Sequence, residues 1–299
     1  MTDSLNGRIV VVTGAGRGLG RQHALRLARE GASVIVNDLI TNGEDPAQDV
    51  VDEIEALGGA AITDHHSVTT WDSAQAIINT AIERFGRLDG LVCNAGFLRD
   101  KMLTNMSEAE WDDVTKVHQY GTFYTLRHAA AHWRERHKTG EDVNASAVLT
   151  TAISGLHSNV GQVNYGAAKA AIALMAVSSA RELTRYGVRV NAISPLARTR
   201  LTESAPRFAT TADDGFDEVD PEHVSPLVAW LLSASCRASA QVYAVFGREI
   251  HRYKMWSPQQ SAVTDATWTV ESVAAALSDW SEQYEPDVIP GLPAPSRTR

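Results

Sequence analysis

The chain has 299 residues, of which 44% are hydrophobic and 21% charged, the composition of a globular protein with a sizeable core and room for one large α/β domain or two small ones. Its net charge of −9, with no run of basic residues, excludes nucleic acid or an anionic membrane as the natural partner. The start M-T-D-S-L-N-G-R lacks the basic and apolar regions of a signal peptide, and no run of about 18 apolar residues could span a membrane, so a cytoplasmic protein is expected, with Cys93 and Cys236 as free thiols.

In chain order, Arg8 to Thr13 reads as a strand, followed by a glycine-rich turn and a helix to about Glu30. Ser33 to Asp38 is the next strand, and Ala47 to Leu57 a helix ended by Gly58-Gly59. Ala60 to His65 is a strand, Asp72 to Phe85 a helix, Gly90 to Asn94 a strand, and Glu108 to about His137 one long helix. Ala145 to Thr151 is a strand, Val163 to Tyr186 a helix, Arg189 to Ser194 a strand, Pro221 to Ser233 a helix and Gln241 to Phe246 a last strand. Strands that are apolar throughout, alternating with helices, predict a parallel sheet covered on both faces. Thr41 to Gln48 and His137 to Asn144 are polar loop insertions, and Thr199 to Asp220, after a strand end, is a candidate substrate lid. Residues 1–250 form the predicted domain; residues 251–299, with Trp256, Trp268, Trp280 and a helical stretch from Val270 to Tyr284, are too few for a second and form an extension packed on the core or on a neighbouring subunit.

Gly14, Gly18 and Gly20 follow a strand and open a helix. Glycines let the backbone approach a pyrophosphate, and the helix N-terminus supplies amide donors and positive potential. Asp38 ends the second strand; a carboxylate there accepts hydrogen bonds from an adenosine ribose and repels a 2′-phosphate, which favours NAD. Arg17 in the turn is the counter-evidence, since a guanidinium could bind that phosphate, but Leu39 rather than a basic residue follows Asp38. Tyr165 and Lys169 are four residues apart and share one helix face. An ammonium beside a phenol lowers the phenol pKa from about 10 and makes it a usable acid and base near neutral pH. His128 and His132 have helical spacing but A-A-A between them and no glutamate base, so no metal site is expected.

With T-G-A-G-R-G-L-G at Thr13 to Gly20, N-A-G at Asn94 to Gly96 and N-Y-G-A-A-K at Asn164 to Lys169, the chain resembles the short-chain dehydrogenase/reductase family from about Arg8 to Gly247. The resemblance implies a Rossmann-type doubly wound parallel sheet and hydride transfer between NAD and a secondary alcohol or ketone. It implies that Tyr165 is the acid/base, and that Lys169 lowers its pKa and holds the nicotinamide ribose. Cofactor contacts would come from Gly14, Arg17, Gly18, Leu19, Gly20, Asp38, Val68, Asn94, Ala95, Gly96, Pro195 and Thr199, together with Tyr165 and Lys169.

Two positions depart from the family pattern. Its catalytic serine, thirteen residues before the tyrosine, is here Ala152. Thr150, Thr151 and Ser154 are the nearby hydroxyls; if the segment is extended, Ser154 shares the direction of Ala152 and is the better substitute. The helix asparagine is replaced by His118 in V-H-Q-Y-G, where a neutral imidazole could relay protons. Histidine there, with N-D-L and G-Q-x-N-Y, resembles the hydroxyacyl-CoA and hydroxysteroid dehydrogenases of the peroxisomal multifunctional type. A lipid-like substrate, 3-hydroxyacyl-CoA or hydroxysteroid, is implied, as is a homo-tetramer or homodimer. An NADPH-dependent 3-ketoacyl reductase and a non-catalytic nucleotide-binding homologue stay open as alternatives.

Overall fold

The computed structural model describes residues 4–198, 216–258 and 260–280. Eight strands form one sheet in the order β3-β2-β1-β4-β5-β6-β7-β8. They are β1 (Ile9–Thr13), β2 (Ser33–Asn37), β3 (Ala60–Asp64), β4 (Gly90–Cys93), β5 (Ala145–Thr150), β6 (Val188–Pro195), β7 (Val242–Phe246) and β8 (Glu249–Tyr253). Neighbours pair in parallel except β7 and β8. Val10, Val11 and Val12 are all buried, as a strand covered on both faces requires.

One side carries α1 (Gly18–Arg29), α2 (Pro46–Ala56) and α8 (Ser225–Leu232). Leu25 and Leu27, Val50 and Ile54, and Val228 and Leu231 from these helices close over Val12, Val36, Val92 and Val148 in one core. Each such side chain, fully buried, contributes about 1.5–3 kcal/mol. The remaining major helices are α3 (Trp71–Phe85), α4 (Glu108–Thr115), α5 (Gly121–Lys138) and α7 (Val163–Leu183). The chain leaves β1 towards β2 and β3, then returns to β4 on the other side. The strand order therefore reverses between β1 and β4, and a ligand crevice is expected at their C-terminal ends.

Three features depart from the sequence reading. The long helix is interrupted: Lys116–Tyr120 is a π-turn between α4 and α5, with His118 inside it. Such turns are often found at functional sites. Two residues after β5 a short helix begins, α6 (Ile153–His157), so the segment is not extended through Ser154. Strand β8, antiparallel at the sheet edge, was read as part of the tail. The chain divides into two compact units between Tyr253 and Lys254. The second contains α9 (Val270–Ala276), opened by a Thr269/Ser272 capping box, and none of its described residues is buried. The helix expected from Val270 to Tyr284 ends at Ala276 and gives way to a 3₁₀ turn over Ser278–Trp280, and residues 281–284 lie outside the described residues. Among the described residues no helix is long and apolar enough to cross a membrane.

Candidate active site

The reversal of strand order opens a cleft of about 420 Å³ at the C-terminal ends of β1, β2 and β4. Nine of the predicted contacts line it: Gly14, Arg17, Gly18, Leu19, Asp38, Val68, Asn94, Ala95 and Gly96. Gly14 and Gly18 have φ of +63° and +54°, a region other residues rarely adopt. A Cβ on Gly20 would fall 2.0 Å from the Gly14 carbonyl oxygen, so the turn closes on itself only with glycine. Helix α1 opens on Arg17 with no side-chain cap and no acidic residue in its first turn. Its free N–H groups are the donor set a pyrophosphate needs, so the site fits a dinucleotide. The Asp38 carboxylate accepts from Gly16 N and Leu39 N, both at 2.8 Å, which fixes it at the cleft wall with acceptor capacity left over.

Asn94 is tied to β1. Its Nδ2 donates to the Thr13 and Gly14 carbonyls at 3.1 and 3.0 Å, and its N–H donates to Thr13 Oγ1 at 3.0 Å. Gly96 lies on the His118 ring: a Cβ there would come within 2.1 Å of Cε1. His118 Nε2 is 2.8 Å from the Phe97 carbonyl, and its ring meets Tyr165 edge-on with centroids 5.1 Å apart. Phe97 lines the cleft, so His118 connects the dinucleotide crevice to the tyrosine. Burial, helped by the charge of Lys169, pushes the His118 pKa down to about 3 against the Phe97 hydrogen bond, so the ring is neutral. Its Nδ1 is buried and has no partner among the described residues.

Tyr165 and Lys169 share one face of α7, with Nζ 5.5 Å from the phenol centroid. The expected electrostatics, however, are reversed. Nζ donates to the Thr150 carbonyl at 2.5 Å, and burial pushes the Lys169 pKa down to about 7. Burial, followed by the charge of Asp100, raises the phenol above its ordinary value. Helical spacing places the two groups together, but desolvation outweighs their mutual effect and holds both towards their neutral forms. Cys93, also near Lys169, is raised to about 12 by burial and is inert as a nucleophile.

The substitute for the missing serine needs a different argument from the one based on alternation. Ala152 is extended, with φ −155° and ψ 161°, but α6 begins at the next residue, so Ser154 does not follow strand alternation. Ser154 is buried, and its backbone lies against Gly166, next to Tyr165: a Cβ on Gly166 would be 2.9 Å from the Ser154 oxygen. Thr151 Oγ1 is engaged with the Lys169 carbonyl at 2.6 Å. Thr150 Oγ1 is buried without a partner among the described residues, on the strand face that Ala152 continues. Pro195 closes β6, and Leu196 N donates to Val245 O at 3.0 Å. Thr199, with most of the candidate lid, lies outside the described residues; at its ends Arg198 makes a two-pronged ion pair with Asp217 at 2.8 and 3.0 Å.

Asn164, in the N-Y-G-A-A-K motif, is not among the predicted site residues. It is buried, donates to the Arg99 and Glu110 carbonyls at 3.0 and 3.1 Å, and accepts from Tyr165 N at 2.7 Å. It thereby anchors the start of α7, and with it Tyr165, to the wall opposite. Among the described residues no cluster of His, Cys, Asp or Glu could hold a metal ion.

Comparison with known proteins agrees with this geometry. Residues 8–208 match the family model of the short chain dehydrogenases. Hydroxyacyl-CoA dehydrogenase ChsB1 of Mycobacterium tuberculosis is 40% identical over 295 residues, covering 96% of this chain and 92% of its own. The peroxisomal multifunctional enzyme type 2 of Mus musculus is 37% identical over 246 residues, covering 80% of this chain and 32% of that longer protein. The crystal structure of a short chain dehydrogenase from Mycobacterium avium superimposes with a TM-score of 0.87 at 44% identity, covering 95% of this chain and 98% of that one.

Proposed function

The chain belongs to the short chain dehydrogenase family, and we propose that within it the protein is an NAD-dependent dehydrogenase of 3-hydroxyacyl-CoA. The observation that carries this reading is the junction of Tyr165, Lys169 and His118 beside a glycine-turn cleft with a carboxylate at Asp38. The similarity to a named hydroxyacyl-CoA dehydrogenase along nearly the whole chain favours an acyl thioester over a hydroxysteroid. Gly14, Gly18, Gly20 and the α1 N-terminus would hold the pyrophosphate, Asp38 the adenosine ribose, and Lys169 the nicotinamide ribose. When bound, the nicotinamide supplies the hydride acceptor. Tyr165 exchanges the hydroxyl proton of the substrate, and the unpartnered Nδ1 of neutral His118 passes protons to or from Lys169. We place the enzyme in the cytoplasm.

Incubation with NAD and a panel of 3-hydroxyacyl-CoA esters and hydroxysteroids tests the reading. NADH formation fastest with the thioesters is expected; tight nucleotide binding with no turnover on any member would establish the non-catalytic alternative. For the missing serine we assign Ser154. Ser154→Ala is expected to lower kcat by about 10²–10³, the loss typical of one donor to a developing oxyanion, while Ala152→Ser changes little. A gain of activity in Ala152→Ser with no effect of Ser154→Ala would show that nothing has replaced the lost hydroxyl.

The protein is also expected to be a homo-tetramer or homodimer. Small residues along α7 permit close helix approach, and Trp71, Tyr120 and Phe123 stand 39–45% exposed around α5. Light scattering that gives a monomer mass at micromolar concentration would refute this.

A further inference from the structure

Asp38 alone does not exclude a 2′-phosphate while Arg17, a guanidinium in the phosphate turn, lines the same cleft. The structure shows what Arg17 does instead. It is paired with Glu44, which is presented by the insertion that follows β2. That insertion is a built element. Thr41 and Glu44 exchange backbone hydrogen bonds at 3.1 and 3.0 Å across Asn42 and Gly43, whose φ values are +53° and +79°. This is an Asn-Gly turn with both central residues left-handed, the type I′ geometry favoured where a chain reverses in two residues.

The next residue, Asp45, caps α2 by accepting from Gln48 N at 3.1 Å, and Pro46 opens that helix. His65 holds the same corner: Nε2 is 3.3 Å from Asp45 Oδ2, and Nδ1 is 3.1 Å from the Asp38 carbonyl. The corner also packs on the glycine turn, since a Cβ on Gly16 would lie 2.7 Å from Pro46 Cβ and 2.9 Å from Asp38 Oδ2. Glu44 is thus fixed between a rigid turn and a capped helix. The next arginine in the chain, Arg21 in the first turn of α1, is paired with Glu53 of α2.

We infer that Glu44 is a cofactor-specificity residue: it engages Arg17 and withdraws that cation from any 2′-phosphate. Asp38 repels the phosphate directly, and Glu44 removes the charge that could compensate for it. This is selection by opposing the wrong ligand, not by added contacts to the right one. Glu44 is mostly exposed and Arg17 about one-third exposed, so the ion pair contributes little to stability and its replacement leaves the fold intact. The inference rests on the proposed NAD preference, and the two can fail separately.

Dissociation constants for NADH and NADPH, measured by quenching of protein fluorescence without substrate, test it. NADPH binding as tightly as NADH to the unaltered protein would defeat the NAD reading before any variant is made. Given that preference, Glu44→Gln is expected to raise the affinity for NADPH relative to NADH by about tenfold, the gain from one charge-assisted hydrogen bond. The same substitution in an Arg17→Ala background is expected to leave the ratio within about twofold of Arg17→Ala alone. No change on Glu44→Gln overturns the inference. So does a gain that persists without Arg17, which would make Glu44 a simple repulsive charge. Thermal melting of each variant confirms that the comparison is between folded proteins.

Discussion

Tyr165→Phe is expected to reduce kcat by about 10³–10⁴ while leaving the protein folded and able to bind dinucleotide. General acid–base catalysis by one positioned group is worth about 10²–10⁴, and among the described residues no tyrosine lines the cleft that could take its place. Stability should move by less than about 1 kcal/mol, since the Tyr165 hydroxyl has no partner among the described residues and its removal orphans nothing. Stopped-flow assays with NAD and the best thioester, beside thermal melting, separate the two effects. Full activity in Tyr165→Phe on a true substrate would remove the catalytic assignment.

The sheet was legible because parallel strands covered on both faces carry continuous apolar runs, such as Val10 to Val12 in β1, Val34 to Val36 in β2 and Ala147 to Leu149 in β5. Strand β8 was not legible: it is antiparallel at the edge, and Glu249 and Ile250 face solvent, so E-I-H-R-Y carries no core pattern. The π-turn around His118 was hidden as well, since one extra residue in a helix leaves the local composition unchanged. Within the site, the glycines and Asp38 could be read because their chemistry is local to one turn and one strand end. The Glu44–Arg17 pair could not, because it joins two loops 27 residues apart. The extension of strand alternation to Ser154 failed at the point where α6 begins, a five-residue helix without a side-chain cap that leaves almost no trace in sequence. The direction of the Tyr165 shift was misread for a related reason: spacing reports who neighbours whom, whereas solvation depends on everything packed around the pair.

Lys169→Met is expected to stabilise the protein at pH 7 while abolishing most activity. The ammonium is buried, its one acceptor among the described residues is the Thr150 carbonyl, and its pKa falls from 10.5 to about 7. Between pH 7 and 10.5 the unfolded chain therefore carries a proton on this lysine that the folded chain has released. Unfolding takes up that proton, so stability rises with pH across this window, and the full cost of burying the lysine is felt at and below about pH 7. A shift of this size corresponds to at most about 5 kcal/mol, and orphaning the Thr150 carbonyl returns about 1–3 kcal/mol of it, which leaves a net gain of at most about 2–4 kcal/mol. Urea midpoints at pH 7 and pH 9.5 provide the measurement. The variant should be the more stable at pH 7, with the gap narrowing at the higher pH as losing the lysine's proton on folding costs less. A gap that stays constant with pH would show that packing of the methionine, not the lysine's charge, is responsible. A destabilised variant would mean that Nζ is bound as an ammonium by acceptors beyond Thr150, and that Lys169 is charged before the cofactor arrives.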